Sequence, residues 1–194
     1  MAVVTKQEVV EDWSVLIGGG QGSAEQLLAD AQVLIDQSKA PAIKMQTRNM
    51  APSLVRGLMG GRRPFLVVSN TTSAHLKPYK MYINARDYGN NLDIAWYLVW
   101  QPGFWRRFFG FLLAIPLLNL VVLTTFFPYI LLARLGRGGK EGLFDLDLFD
   151  QQDLRAYVTN AHHCVLRAVD AVVYGLGQEP SKIDRKSRGF LGIS

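Results

Sequence analysis

The stretch from Phe108 to Ala133, FFGFLLAIPLLNLVVLTTFFPYILLA, runs for twenty-six residues without an ionisable side chain and limits every fold open to this chain. Its polar members are Asn119, Thr124 and Thr125, and basic residues close it at both ends, Arg106 and Arg107 before, Arg134 and Arg137 after. A helix rising ~1.5 Å per residue crosses the roughly 30 Å hydrocarbon layer with about twenty apolar residues, so the run predicts a membrane segment over 104–140. Trp105 and Tyr129 stand where interfacial aromatics would. Pro116 and Pro128 each remove a backbone donor and bend a helix, and Pro116 lies with Asn119 near the middle of the run. Three geometries follow: a single kinked crossing, a re-entrant hairpin with its tip at PLLN, or the core helix of a soluble protein. Basic residues on both flanks favour keeping both soluble parts on the cytoplasmic side.

The remaining residues suffice for one modest soluble domain. Lys and Arg number 21 against 16 Asp and Glu, and the excess is uneven: from Lys39 to Arg86 there are nine basic residues and no acidic one. A local positive field of that kind suits an anionic partner, whether a lipid headgroup, a nucleotide, RNA or an acidic protein face. The single Cys164 has no partner for an internal disulfide. MAVVTKQEVVEDW lacks the early apolar core of a signal peptide, so the mid-chain apolar run is expected to be an anchor.

Along the chain, residues 5–17 suggest a short helix, with Val9, Val10, Trp13 and Ile17 at helical spacing. The capping-box pair Ser23 and Gln26, followed by Leu27, Leu28, Ala31, Leu34 and Ile35, predicts an amphipathic helix that stops at Ser38–Pro41. Period-two alternation then predicts strands: Ile43, Met45 and Thr47; the short run Phe65–Ser69; Tyr79, Met81, Ile83 and Ala85; and Leu92, Ile94, Trp96, Leu98 and Trp100. The turn at 86–91 joins the last two as an antiparallel hairpin. Beyond the apolar run, Leu154, Tyr157, Val158, Ala161, Cys164, Val165, Ala168, Val169 and Val172 predict a long amphipathic helix with Asp150 as its N-cap. The expected fold is therefore α+β: a small antiparallel sheet of three or four strands with packing helices, plus one apolar membrane segment, re-entrant or a single kinked helix. Its parts are a soluble domain over 1–103, the membrane segment and flanks over 104–140, a helical region over 141–178 completing the soluble part, and a basic tail over 179–194 that touches headgroups or stays disordered.

The acids Asp145, Asp147, Asp150 and Asp153 lack the glycine and glutamate that a calcium loop needs, and read as the acidic start of a helix. His162, His163 and Cys164 point about 100° apart on a helix and cannot share a metal. No metal and no cofactor is expected. The pair Arg155 and His162, two turns apart, resembles the Arg-x4-6-His pattern of HEPN ribonucleases over eight residues. By analogy the resemblance implies a dimer that cleaves RNA without metal, with these two residues as its catalytic pair.

The expected function is that of a membrane-attached, non-enzymatic structural, assembly or effector component of a larger complex. Surplus apolar faces favour a homo-oligomer, and the lipid bilayer is the expected partner. The alternative is a membrane-tethered sensor binding RNA or a nucleotide through Lys44, Arg48, Arg56, Arg62 and Arg63.

Overall fold

A computed structural model describes residues 9–50, 63–101, 146–189 and 191–193. The chain divides into two compact units, Met1–Gln101 with Leu148–Ser194, and Pro102–Asp147; of the second, only residues 146 and 147 are described.

The first unit is built on one antiparallel sheet. Strands β1 (Val9–Gly18), β2 (Ile43–Met50), β3 (Arg63–Asn70), β4 (Tyr79–Tyr88), β5 (Asn91–Trp100) and β6 (Arg188–Gly189) lie in the spatial order β2-β3-β4-β5-β1-β6. Helices α1 (Ala24–Gln37) and α2 (Leu148–Gly175) pack on one another and on one face of that sheet. Alternation along the strands turns Trp13, Leu66, Val68, Met81, Ile83, Ile94, Trp96 and Leu98 to the helices, where Leu27, Ala31, Ile35, Leu154, Val158, Val165 and Val169 meet them; all are buried.

Among the described residues the sheet therefore has six strands rather than three or four. Two strands went uncounted because neither carries a strong local signal. Residues 9–18 satisfy helical spacing in their apolar members, but Glu11, Trp13, Val15 and Ile17 also alternate, and pairing with β5 from Val9↔Val99 to Gly18↔Asn91 makes this stretch a strand. Long-range pairing overrides a short amphipathic pattern because it satisfies the backbone and buries Trp13 against α2 at once. The second uncounted strand, β6, is two residues long and pairs Glu11↔Gly189 and Asp12↔Arg188. It belongs to the tail expected to touch headgroups or stay disordered, which pairs instead with β1.

The expected membrane helix, spanning or re-entrant, is also corrected: no helix among the described residues is long and apolar enough to cross a bilayer. The longest, α2, has 28 residues but carries the charged residues Asp150, Asp153, Arg155, Arg167 and Asp170. The run bearing Trp105, Arg106, Arg107, Pro116, Asn119, Pro128, Tyr129 and Arg134 lies outside the described residues.

Local details follow from ordinary backbone chemistry. The β4–β5 hairpin closes with Gly89 at φ +61°, a conformation open to glycine at no steric cost. Helix α1 starts after Ser23, whose carbonyl accepts from Leu27 N–H at 2.9 Å while its hydroxyl makes no cap bond, so the capping box is not used. Helix α2 starts at Leu148, which places Asp150 inside its first turn rather than at the cap. There the Asp150 carboxylate meets Nδ1 of His75 at 2.8 Å, tying the β3–β4 loop to the helix.

Candidate functional site

Among the described residues, two places concentrate polar side chains, one facing inward and one outward. The inward one centres on His162, fully buried on α2. Its Nδ1 accepts from the Trp96 indole N–H at 2.9 Å, and its Nε2 lies 2.8 Å from the Arg185 carbonyl oxygen. An indole can only donate and a carbonyl only accept, so the ring must be neutral with its proton on Nε2. The rings of Trp13 and Trp96 stand edge-on to the imidazole at 5.5 and 5.4 Å between centroids. Burial holds the His162 pKa below its ordinary value, against the opposing pull of the Arg185 carbonyl. Both ring nitrogens are engaged, and Arg155, two turns earlier on the same helix, is exposed. The fold therefore does not bring Arg155 and His162 together as an accessible pair, and His162 is a structural link between helix, sheet and tail.

Beside it lies a cluster without a plain sequence signal. Glu11 is 1% exposed, and its carboxylate accepts from the Ser187 hydroxyl and from the backbone N–H groups of Leu191 and Ile193. Trp13 donates its indole N–H to the Asp184 carbonyl at 2.7 Å, and Arg185 forks onto Asp170 at 2.9 and 3.1 Å. The tail from Asp184 to Ile193 is thus strapped over β1. Gly189, at φ +147°, is required there, because a Cβ would lie 2.5 Å from the Val10 carbonyl oxygen. The one sequence clue was an acid at position 11 on the apolar side of an alternating strand.

The outward place is the sheet face turned away from the helices. Register sets its rows: Lys44, Ser69, Lys80 and Val99 stand side by side, as do Gln46, Val67, Tyr82 and Tyr97, then Arg48 with Phe65, and Met50 with Arg63. Met50, Val67, Tyr82 and Val99 form a buried cluster on this face, with Val9, Phe65 and Tyr97 packed against it. Around the β2–β3 corner of that cluster stand Lys44, Arg48 and Arg63, all exposed, and the half-buried Lys80. Arg48 is held by Gln46, whose Oε1 accepts from Nε and Nη2 at 3.1 and 2.6 Å. The Lys80 ammonium reaches Gln101 Oε1 at 3.2 Å, and its pKa is lowered by burial and then by the neighbouring charge of Arg48.

Carboxylates occupy the opposite side of the same face. Asp93 pairs with Arg86 at 2.6 Å, and burial, Asp93 and Asp12 in that order raise the Tyr97 pKa. Neither β2 nor β3 contains an acidic residue, so the face grades from acidic at β1 and β5 to basic at β2 and β3. Of the residues expected to hold an anion, Lys44, Arg48 and Arg63 are brought together; Arg56 and Arg62 lie outside the described residues. Lys80 joins them, and only strand pairing, which sets it beside Ser69 and Lys44, could show that. Among the described residues no three His, Cys, Asp or Glu side chains converge as metal ligands. The Cys164 thiol is buried and its pKa is raised by that burial. No protein-family model, curated protein or solved structure matches the chain.

Proposed function

We propose that this chain is a non-catalytic assembly or effector component that docks an acidic protein partner on the β2–β3 corner of its sheet. The observation that carries the reading is the concentration of positive charge there: among the described residues, Lys44, Arg48, Arg63 and Lys80 share one face of three adjacent strands, two of which contain no acid. Cations held near one another without carboxylates among them gain from any polyanion that arrives, and the gain is screened by salt. An acidic protein is favoured over nucleic acid because the aromatics beside these cations are committed to packing. Tyr82 is 2% exposed and its hydroxyl accepts from Gln101 Nε2 at 2.7 Å, while Phe65 packs edge-on to Tyr82 at 6.4 Å. Base stacking needs open ring faces, which this arrangement does not offer.

The test compares fluorescent poly-L-glutamate with a single-stranded RNA of matched charge, titrated against the full chain at low and high salt. Saturable polyglutamate binding that weakens with salt and is lost in the double variant Lys44→Glu, Arg48→Glu supports the proposal. RNA binding in preference to polyglutamate replaces the protein partner by nucleic acid. Flat titrations of both at low salt overturn the docking role.

A further inference from the structure

Resting on that reading, we infer that the partner binds as an extended strand, added antiparallel to the outer edge of β2, with acidic and apolar residues alternating along it. The edge is identified by hydrogen bonding. Thr71 N–H donates to the Ala42 carbonyl at 2.9 Å, which makes the even-numbered residues of this stretch the ones that bond to β3. Pro64 agrees: it opposes Asn49, has no N–H to give, and its carbonyl oxygen is turned to β4, where Asn84 Nδ2 donates at 2.8 Å. The backbone N–H and C=O groups of Ile43, Met45, Thr47 and Asn49 therefore point away from the sheet. Among the described residues no strand pairs with them, since β2 ends the strand order. Five of the eight residues of β2, Lys44, Gln46, Thr47, Arg48 and Asn49, are exposed. A row of backbone groups of this length with no strand against it among the described residues is a template for strand addition.

Charge selects the occupant. A second copy of β2, paired antiparallel in the register that sets Ile43 of each chain opposite Asn49 of the other, would place Lys44 opposite Arg48, and directly opposed like charges destabilise a pair of strands. An acidic strand has the opposite sign of interaction in the same place. On one face its carboxylates would stand against Lys44 and Arg48, which are ~13 Å apart along the strand. On the other face its intervening residues would lie beside Ile43 and Met45, both half-buried, and so are best apolar. Two features of one strand thus specify an alternating acidic and apolar sequence.

The probe is a blocked nonapeptide in which Asp alternates with Val, labelled and titrated against the full chain. Its control carries N-methyl groups on the valines, the residues whose N–H groups would bond to β2, and leaves every charge in place. Strand addition predicts a loss of about tenfold or more in affinity on N-methylation, on Thr47→Pro, and separately on the double variant Lys44→Glu, Arg48→Glu. Equal binding of methylated and unmethylated peptides overturns strand addition while leaving the anionic docking role standing. Failure of both peptides and of polyglutamate overturns the two together. A chain that dimerises in sedimentation, with a dimer the peptide dissolves, overturns the choice of occupant in favour of a second copy. The peptide arm uses the unaltered protein, so it stands even if Thr47→Pro does not fold.

Discussion

Single residues here act by satisfying polar groups that packing has buried. Tyr157 is the plainest: its hydroxyl donates to the Val68 carbonyl at 2.8 Å and accepts from Met81 N–H at 3.1 Å, joining β3 to β4 from the helix side. Burial raises the pKa of that phenol, with the Met81 N–H acting in the opposite sense. Tyr157→Phe keeps the ring and removes both of the hydroxyl's bonds to the β3–β4 backbone, so urea denaturation should show a loss of about 0.5–1.5 kcal/mol. His162 adds a dependence on pH. Its folded pKa lies below the 6.5 of the unfolded side chain, so the unfolded chain takes up the proton first as pH falls. The stability it contributes is then complete above about 6.5 and declines as pH drops through the interval down to the folded pKa. Denaturation midpoints measured from pH 8 to pH 5 should fall in the wild type, and the part due to position 162 should vanish in His162→Phe, which cannot titrate.

Among the elements, the strapped tail and edge strand β1 depend on each other. Glu11 lies under the tail, accepting from its hydroxyl and backbone donors, so removing the carboxylate leaves several buried donors without a partner at once. In Glu11→Ala, trypsin should cut after Lys182, Arg185, Lys186 and Arg188 well before it reaches the sheet, whereas the wild type should resist at those sites. Glu11→Gln should behave similarly, because an amide nitrogen would face donors. Equal cleavage rates in all three proteins would show that the strap does not depend on this carboxylate. The element also explains why sequence patterns failed at both chain ends of the sheet. The tail is polar and has no periodicity, and its order comes from Trp13, His162 and Glu11, which are far away in sequence.

For the molecule as a whole, the separation of charge across the outer sheet face is the property that a partner would sense. Because the basic side is exposed, its attraction should fall steeply as salt shortens the screening length from about 10 Å at 0.1 M to about 3 Å at 1 M. Association of polyglutamate should slow accordingly, while a variant with Arg86 and Asp93 both made neutral should behave as wild type, since that pair already cancels itself. Stopped-flow association rates at several ionic strengths check both statements.

The sequence alone determined the amphipathic helices and the β4–β5 hairpin, because a buried face written at period 3.6 or 2 and a turn with a glycine are local instructions. It also determined the acid-free span from Lys39 to Arg86, since net charge needs no coordinates. Tertiary structure decided that residues 9–18 are a strand, that the tail is ordered, that His162 is walled in between Trp13 and Trp96, and that Lys80 stands in line with Lys44. Each of these rests on contacts between residues distant along the chain, where the free energy of pairing and burial outweighs any preference the local sequence expresses.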